Sequence, residues 1–318
     1  MEKKHSEANL RTSRVQSVFR ELRRNKALYL FTVPGIIFFI LFNYLPMFGI
    51  IVAFKDFNFI QGFFRSPWVG FKNFGFFFKS ADAWVVTRNT LVLNSLFIAS
   101  SLVLQIGFAL LLNEIRNERF KKITQSFMFF PYFISWIIVS VFTYNFFHSE
   151  HGALNRLLRS LNMPTVNWLS RPQYWTWFLT LIYDWKWTGF GVIIYLAALA
   201  GINEELYEAA EIDGAGRWAQ IRLISIPLIM PTAVVLTLLA IGRIMISDFG
   251  MIYGIIGDNA MLYPTTNVID TYVYRALRQL GDIGMSAAAG LYQSLVGLAL
   301  VLGSNLLARR FSEEGALF

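Results

Sequence analysis

The chain has 318 residues, 55% of them hydrophobic and 15% charged, with a formal net charge of +8 and no cysteine. A soluble globular chain carries about 25% charge, so this composition, with 17% aromatic residues and a mean hydropathy of +0.48, excludes a disordered tail, a collagen-like rod and an ordinary soluble enzyme. It predicts an all-α, multi-span membrane protein without disulfides or thiol chemistry. Most of its surplus Lys and Arg flank apolar runs, which points to an anionic membrane surface and not to nucleic acid.

Residues 1–27 are polar and charged, with no apparent cleavable signal peptide. Val15, Val18, Phe19 and Leu22 fall at i, i+3, i+4 and i+7 among basic residues. That spacing predicts an amphipathic helix lying on the inner leaflet, a disordered basic tail being the alternative. Crossing a ~30 Å hydrocarbon core takes about 20 apolar helical residues. Six stretches qualify: 28–54, 91–112, 126–147, 175–200, 227–246 and 287–308. Backbone groups must be paired within lipid, so these are helices, and together they form a transmembrane domain over 28–308, followed by a tail at 309–318. Pro34, Pro46 and Pro131 lie inside spans, where kinks are expected and not breaks.

Lys and Arg are about twice as dense in 1–27, 113–123, 201–226 and 309–318 as in 55–89, 148–173 and 248–287. Both termini are therefore expected on the cytoplasmic side. The outer loop 55–89 holds eleven aromatics, among them Phe57, Trp68 and Phe71, interrupted by Gly62, Pro67, Gly70 and Gly75. It reads as interfacial anchoring first, or as an outer cap or docking surface.

No phosphate-binding G-x-x-x-x-G-K-[ST], no H-E-x-x-H and no G-x-S-x-G occurs. His148 and His151, with Glu150 beside them, are too few for a metal site. The chain reads as a binding or transport protein with no catalytic residue and no metal of its own, driven by energy from elsewhere.

The inner segment 203–225 is the most informative. Asn203 is a good N-cap, and Glu204 and Glu205 suit the positive end of the helix that follows. Asp213-Gly214 stops that helix. A second short helix carries Trp218 and Ile221, and Pro227 opens span five. This predicts a bent helix pair standing out of the membrane. Glu208-Ala209-Ala210, Asp213-Gly214-Ala215 and Ile224-x-Ile226-Pro227 resemble, without a gap, the EAA loop of ABC importer permeases, with Ile221 where an aromatic is usual.

That resemblance implies the six-helix fold of type I ABC importer permeases. It implies that 203–225 seats in a groove of a separate ATPase, with Glu208, Ala209, Ala210, Asp213, Gly214 and Ala215 as the coupling residues. It further implies a second permease subunit, two ATP-binding cassette subunits holding ATP and Mg, an extracellular solute-binding protein and the plasma membrane of a prokaryote, with no cofactor bound by this chain. The segment Trp68-Val69-Gly70-Phe71-Lys72-Asn73-Phe74 resembles carbohydrate-type permeases. Thr271-Tyr272-Val273-Tyr274-Arg275 and the final residues 308–318 resemble the subgroup for complex oligosaccharides and polysaccharides, alginate-type importers among them.

Charged groups inside spans default to functional hypotheses. Lys186 lies about 16 Å along its helix from Trp175, near the midplane, and Arg243 roughly 24 Å beyond Pro227. With Asp184, Trp185, Trp187, Asp248, Trp136 and Tyr144 they are candidates for a sugar path, which by resemblance follows the segment before Gly189-Phe190 and the middle of span five. Arg243 could instead snorkel to headgroups, Lys186 could pair with a carboxylate on another helix, and Trp185 and Trp187 could be ordinary packing. Asn94, Gln105, Gln293 and Asn305 read as polar glue between helices. Lys186 and Arg243 together predict an anionic carbohydrate cargo, moved by alternating access. The rival is a self-sufficient ion-coupled carrier or a receptor, although spans 1–3 and 4–6 show no convincing repeat.

Overall fold

The structure is a computed structural model that describes residues 24–311. The amphipathic helix expected over 15–22 and most of the C-terminal tail lie outside the described residues. Apart from one isolated bridge between Lys55 and Trp68, the regular structure described is helical.

The first span is the helical run α1 (Lys26–Phe54). Pro34 sits inside it, and a π turn at Ile40–Tyr44 precedes Pro46. Proline lacks an N–H and its ring crowds the preceding turn, and the widened turn absorbs both effects without breaking the helix.

The loop that follows is a folded insert. Lys55 is buried, donates from Nζ to the carbonyls of Phe63 (2.9 Å) and Phe64 (3.2 Å), and lies 4.9 Å from the centre of the Trp68 ring. Asn73, in α2 (Lys72–Lys79), ties the insert to the end of α1 by donating to the carbonyls of Ala53 and Lys55, each at 2.9 Å. The helix α3 (Ala81–Asn113) begins ten residues before the predicted second span, because Ser80 supplies an extended N-cap right after α2.

The third span departs from expectation. The run 126–147 is not one kinked helix but two, α4 (Glu118–Phe133) and α5 (Trp136–Phe147), bent by 94°. The tight turn Phe130–Phe133 carries Pro131, and Ile134 and Ser135 are extended. Proline alone permits such a corner. What sustains it is an outside donor for the freed carbonyls, described below.

A short helix α6 (Ala153–Ser160) leads to α7 (Pro172–Ala200). At 29 residues, about 43 Å at 1.5 Å per residue, α7 is long enough to cross a bilayer alone. Asp184 and Lys186 dilute its apolar run. The short helix α8 (Glu204–Ile212) turns 69° away from it. The next helix, α9 (Arg217–Gly242), is continuous. The short helix expected around Trp218 is its first turn, joined to the rest by a π turn at Ile221–Ser225 that accommodates Pro227. This fifth span ends at Gly242, before the predicted boundary, and Arg243 sits just past the helix end.

The short helices α10 (Phe249–Ile256) and α11 (Ile269–Arg275), with a single turn at Tyr263–Thr266 between them, precede the last span, α12 (Ile283–Phe311). Four helices (α1, α3, α9, α12) are long and apolar enough to cross a membrane singly, and the count rises to six if each bent pair is one span.

The tightest packing involves α7. Gly189 lets its backbone touch that of α4, since a Cβ there would lie 1.9 Å from the Met128 carbonyl oxygen. Gly191 makes equal room for the Gln105 side chain of α3. Small residues at such crossings are how helices associate where water supplies no driving force. Near the start of α3, the buried Asn89 amide donates to the carbonyls of Tyr263, Pro264 and Asn267. Arg275 stacks on Tyr263 at 4.1 Å and donates to Asn267 Oδ1, and burial pulls its guanidinium below its ordinary pKa. Arg275 of the 271–275 motif thus ties α11 to the preceding loop.

Candidate functional site

Two features stand out, one in the membrane and one on the side expected to be cytoplasmic. The first is a cavity of about 510 Å³ bordered by Asn94 and Phe97 of α3, Tyr183 and Trp187 of α7, and the segment 243–249 that follows α9. That segment is unwound across 243–248. Irregular backbone at membrane depth is tolerated only where side chains or a water-filled cavity satisfy it. Side chains do so here. Asn94 Nδ2 donates to the Ile244 carbonyl (2.8 Å) and to Ser247 Oγ (3.2 Å). Gln293 Nε2 of α12 donates to the Met245 carbonyl (2.6 Å) and to Asp270 Oδ1 (3.1 Å), while Asp270 Oδ2 accepts from the Ser247 N–H (2.8 Å). Two amides expected to glue helices therefore hold a corner open. Replacing Asn94 by leucine leaves a buried carbonyl unpaired, which costs about 1–3 kcal/mol. The expected result is a lower thermal midpoint for the purified protein, checked by following aggregation on a size-exclusion column.

The cavity carries few polar groups, well placed. Arg243 is exposed to it and in no ion pair among the described residues, where Arg217 with Glu114 is the one pair found. Asp248 borders it and accepts from Trp136 Nε1 at 2.9 Å. Tyr183 stacks face to face on Phe97, with ring centres 4.4 Å apart. Trp187 lines the wall with its indole N–H buried. Aromatic faces beside a few donors and acceptors suit sugar rings, whose C–H faces are apolar and whose rims are hydroxyls.

Of the predicted path residues, Trp187, Arg243 and Asp248 line this space and Trp136 reaches it through Asp248. The others lie elsewhere. Asp184 is buried and accepts from Ser101 Oγ at 2.8 Å, clamping α7 to α3. Trp185 lies in a separate groove with Leu104, Phe127 and Pro131. Tyr144 is exposed on α5 and packs edge-on against His148. Lys186 is buried and donates from Nζ to the carbonyls of Pro131 (3.2 Å), Tyr132 (3.0 Å) and Ile134, with the Trp136 ring 5.0 Å away. Tyr183, Phe97 and Phe249, which also meet at the cavity, carry no sequence signal that separates them from packing aromatics.

The second feature is the bent pair α8–α9. The Asn203 side chain accepts from the Glu205 N–H at 3.1 Å. At the other end Gly214 adopts φ +81°, the Ala215 N–H reaches back to the Ala210 carbonyl (2.8 Å) and the Gly214 N–H to that of Glu211 (3.0 Å). This is a glycine-terminated helix end with its last carbonyls paired. Tyr207 of α8 shares a 2.8 Å hydrogen bond with Ser225, which is 2% exposed at the root of the fifth span. Glu208, Ala209, Asp213 and Gly214 are exposed, while Ala210 and Ala215 are half-buried. Ile212 is 87% and Trp218 75% exposed. Large apolar side chains on a charged helix pair mark a surface that a partner covers.

Comparison with known proteins matches this architecture. Residues 105–313 match the family of binding-protein-dependent transport system inner membrane components. Protein LplB of Bacillus subtilis is 40% identical over 294 residues, 92% of each chain. The polygalacturonan/rhamnogalacturonan transport system permease YteP of the same organism is 38% identical over 295 residues, 93% of this chain and 91% of that one. A chain of a bacterial ABC transporter for import of the acidic polysaccharide alginate superposes with a TM-score of 0.85 at 33% identity, over 93% of this chain and 99% of that one. A second structure of an alginate transporter, in complex with an alginate pentasaccharide-bound periplasmic protein, superposes at 0.84, also with 33% identity, over 92% and 97% of the two chains. These likenesses set aside the self-sufficient carrier and the receptor: the chain belongs to the family of binding-protein-dependent transport system inner membrane components.

Proposed function

We propose that this chain is one half of the membrane pore of an ATP-driven importer for an acidic oligo- or polysaccharide. It works with a second permease subunit, two ATP-binding cassette subunits and an extracellular solute-binding protein. The relatives named above, with their polygalacturonan and alginate cargoes and the periplasmic protein, support the substrate class and the partners. Both termini face the cytoplasm, as the Lys and Arg distribution argues, and the chain itself binds no cofactor. ATP and Mg are held and consumed by the cassette subunits.

The observation that carries this reading is continuity. The pair α8–α9 presents Glu208, Asp213, Ile212 and Trp218 to a partner and is tied at its root by Tyr207 to Ser225, and α9 runs as one helix to the unwound segment bearing Arg243 and Asp248. Displacement of α8 by closing ATPase subunits is thereby transmitted along α9 to the cavity wall. The wall shifts from facing inward to facing outward, and the cargo passes between the two permeases. Glu208, Ala209, Ala210, Asp213, Gly214 and Ala215 form the coupling surface, and Arg243 is the cationic contact for the cargo.

Two measurements test it. The affinity-purified chain should carry ATPase subunits with it, and purification without them under mild detergent counts against the whole reading. In the reconstituted complex, Arg243→Ala should weaken stimulation of ATP hydrolysis by an acidic oligosaccharide about tenfold, ~1.4 kcal/mol, and that by a neutral one much less. Equal loss for both removes the acidic cargo while leaving the importer.

A further inference from the structure

Lys186 is a buried cation with no carboxylate in direct contact. It is 5% exposed, and among the described residues no Asp or Glu lies within ion-pair distance of it. Its three ammonium protons go instead to three backbone carbonyls, those of Pro131, Tyr132 and Ile134. These carbonyls belong to the corner where α4 ends and α5 begins.

The arrangement follows from the backbone. The last carbonyls of a helix have no partner within it and carry the negative end of its dipole. In water they are solvated. In a dry bilayer interior they need donors, and a helix that turns 94° leaves the carbonyls of Tyr132 and Ile134 in need of one, whereas that of Pro131 also accepts from the Ile134 N–H at 3.1 Å. A lysine ammonium, compact and with three donors, can serve several of them and neutralise the dipole as well. The same cation faces the Trp136 ring at 5.0 Å, which favours keeping that ring in place. Trp136 in turn donates to Asp248, which borders the cavity.

We propose that Lys186 is a positioning residue: it holds the third span folded at its corner and, through Trp136, sets Asp248 at the cavity rim, and it does not touch the cargo. This deepens the proposed transport path and rests on it for the transport readout, but the folding of the corner is independent of what the cavity carries.

The absence of cysteine makes a direct test simple. Spin labels at Ile123→Cys and Phe146→Cys, on exposed faces of α4 and α5, lie on the two legs of the corner. With the legs at right angles the labelled positions are roughly 25 Å apart, whereas one straight helix would separate them by about 35 Å. The assembled parent complex should give the short distance. Lys186→Met should either fail to accumulate in the membrane or shift and broaden the distribution toward the longer value. Its maximal cargo-stimulated ATPase rate should fall at least about tenfold, with an unchanged ratio of acidic to neutral cargo response. Lys186→Arg, which keeps a cation with several donors, should restore the short distance and most of the rate. Trp136→Phe should keep the short distance and lower the rate.

A Lys186→Met protein with the parent distance and a selective loss of acidic cargo would make Lys186 a cargo ligand and overturn the proposal. So would a parent-like distance and rate in Lys186→Met, or failure of both substitutions to accumulate, since a long cation should suffice. Loss of selectivity in Arg243→Ala concerns the cargo reading and leaves this test untouched.

Discussion

Replacing Gly214 by valine is expected to uncouple the transporter, lowering cargo-stimulated ATP hydrolysis at least about tenfold while the permease remains inserted. Gly214 has φ +81°, a conformation that costs a residue with a Cβ roughly 1–2 kcal/mol and a β-branched one more. The strain falls on the turn that pairs the Ala215 and Gly214 N–H groups with carbonyls of α8. The chain relieves it by reopening the angle between α8 and α9, which moves Glu208 and Asp213 relative to Trp218. No transmembrane contact is involved, so the thermal midpoint of the isolated permease should change little. Gly214→Asn is the control, because asparagine tolerates the left-handed region, and it should retain most of the stimulation. Full coupling in Gly214→Val would mean that the bent pair is not what the ATPases push.

The second large effect is on folding. Gly189→Ala puts a methyl group 1.9 Å from the Met128 carbonyl oxygen and 2.7 Å from the Phe129 nitrogen. Neither backbone atom can rotate away, so α7 and α4 must separate. Overpacking of this kind costs typically ~1–3 kcal/mol, and here it also pulls Lys186, one turn earlier, from the carbonyls it serves. The expected result is poor accumulation in the membrane and a thermal midpoint several degrees lower, since about 1 kcal/mol corresponds to ~2–4 °C in a chain of a few hundred residues. Gly107→Ala in α3, where a Cβ meets nothing within 4 Å, should be neutral or slightly stabilising. Equal behaviour of the two variants would show that the crossing can open without loss.

These two glycines differ in how far the sequence alone reveals them. Gly214 is legible because its role is local: Asp213-Gly214 ends a helix that Asn203 began ten residues before, and all the partners lie in that stretch. The apolar runs that became helices are legible for a similar reason, each needing only its own length and composition. Gly189 and the corners are not. Pro131 marks a weak point in the third span, but whether it becomes a kink or a corner depends on a donor more than fifty residues away, and Lys186 looks from its own surroundings like a charge awaiting cargo. Arg243 presents the same difficulty in reverse. It reads as a residue inside a helix and instead stands just past the helix end, because Asn94 and Gln293 supply what the unwound backbone lacks. A polar side chain in an apolar span announces that something will be bound. Whether that is a neighbouring backbone or a ligand is decided by contacts that linear order does not display.

The corner after α9 also constrains the order of synthesis. The carbonyl of Ile244 finds its donor in α3, already made, but that of Met245 waits for Gln293 in α12. A nascent chain that has delivered its fifth span to the bilayer therefore holds an incomplete turn at membrane depth until nearly fifty further residues have left the ribosome. The final helix thus acts as a keystone, and a chain arrested before it should be recognised by membrane quality control and degraded.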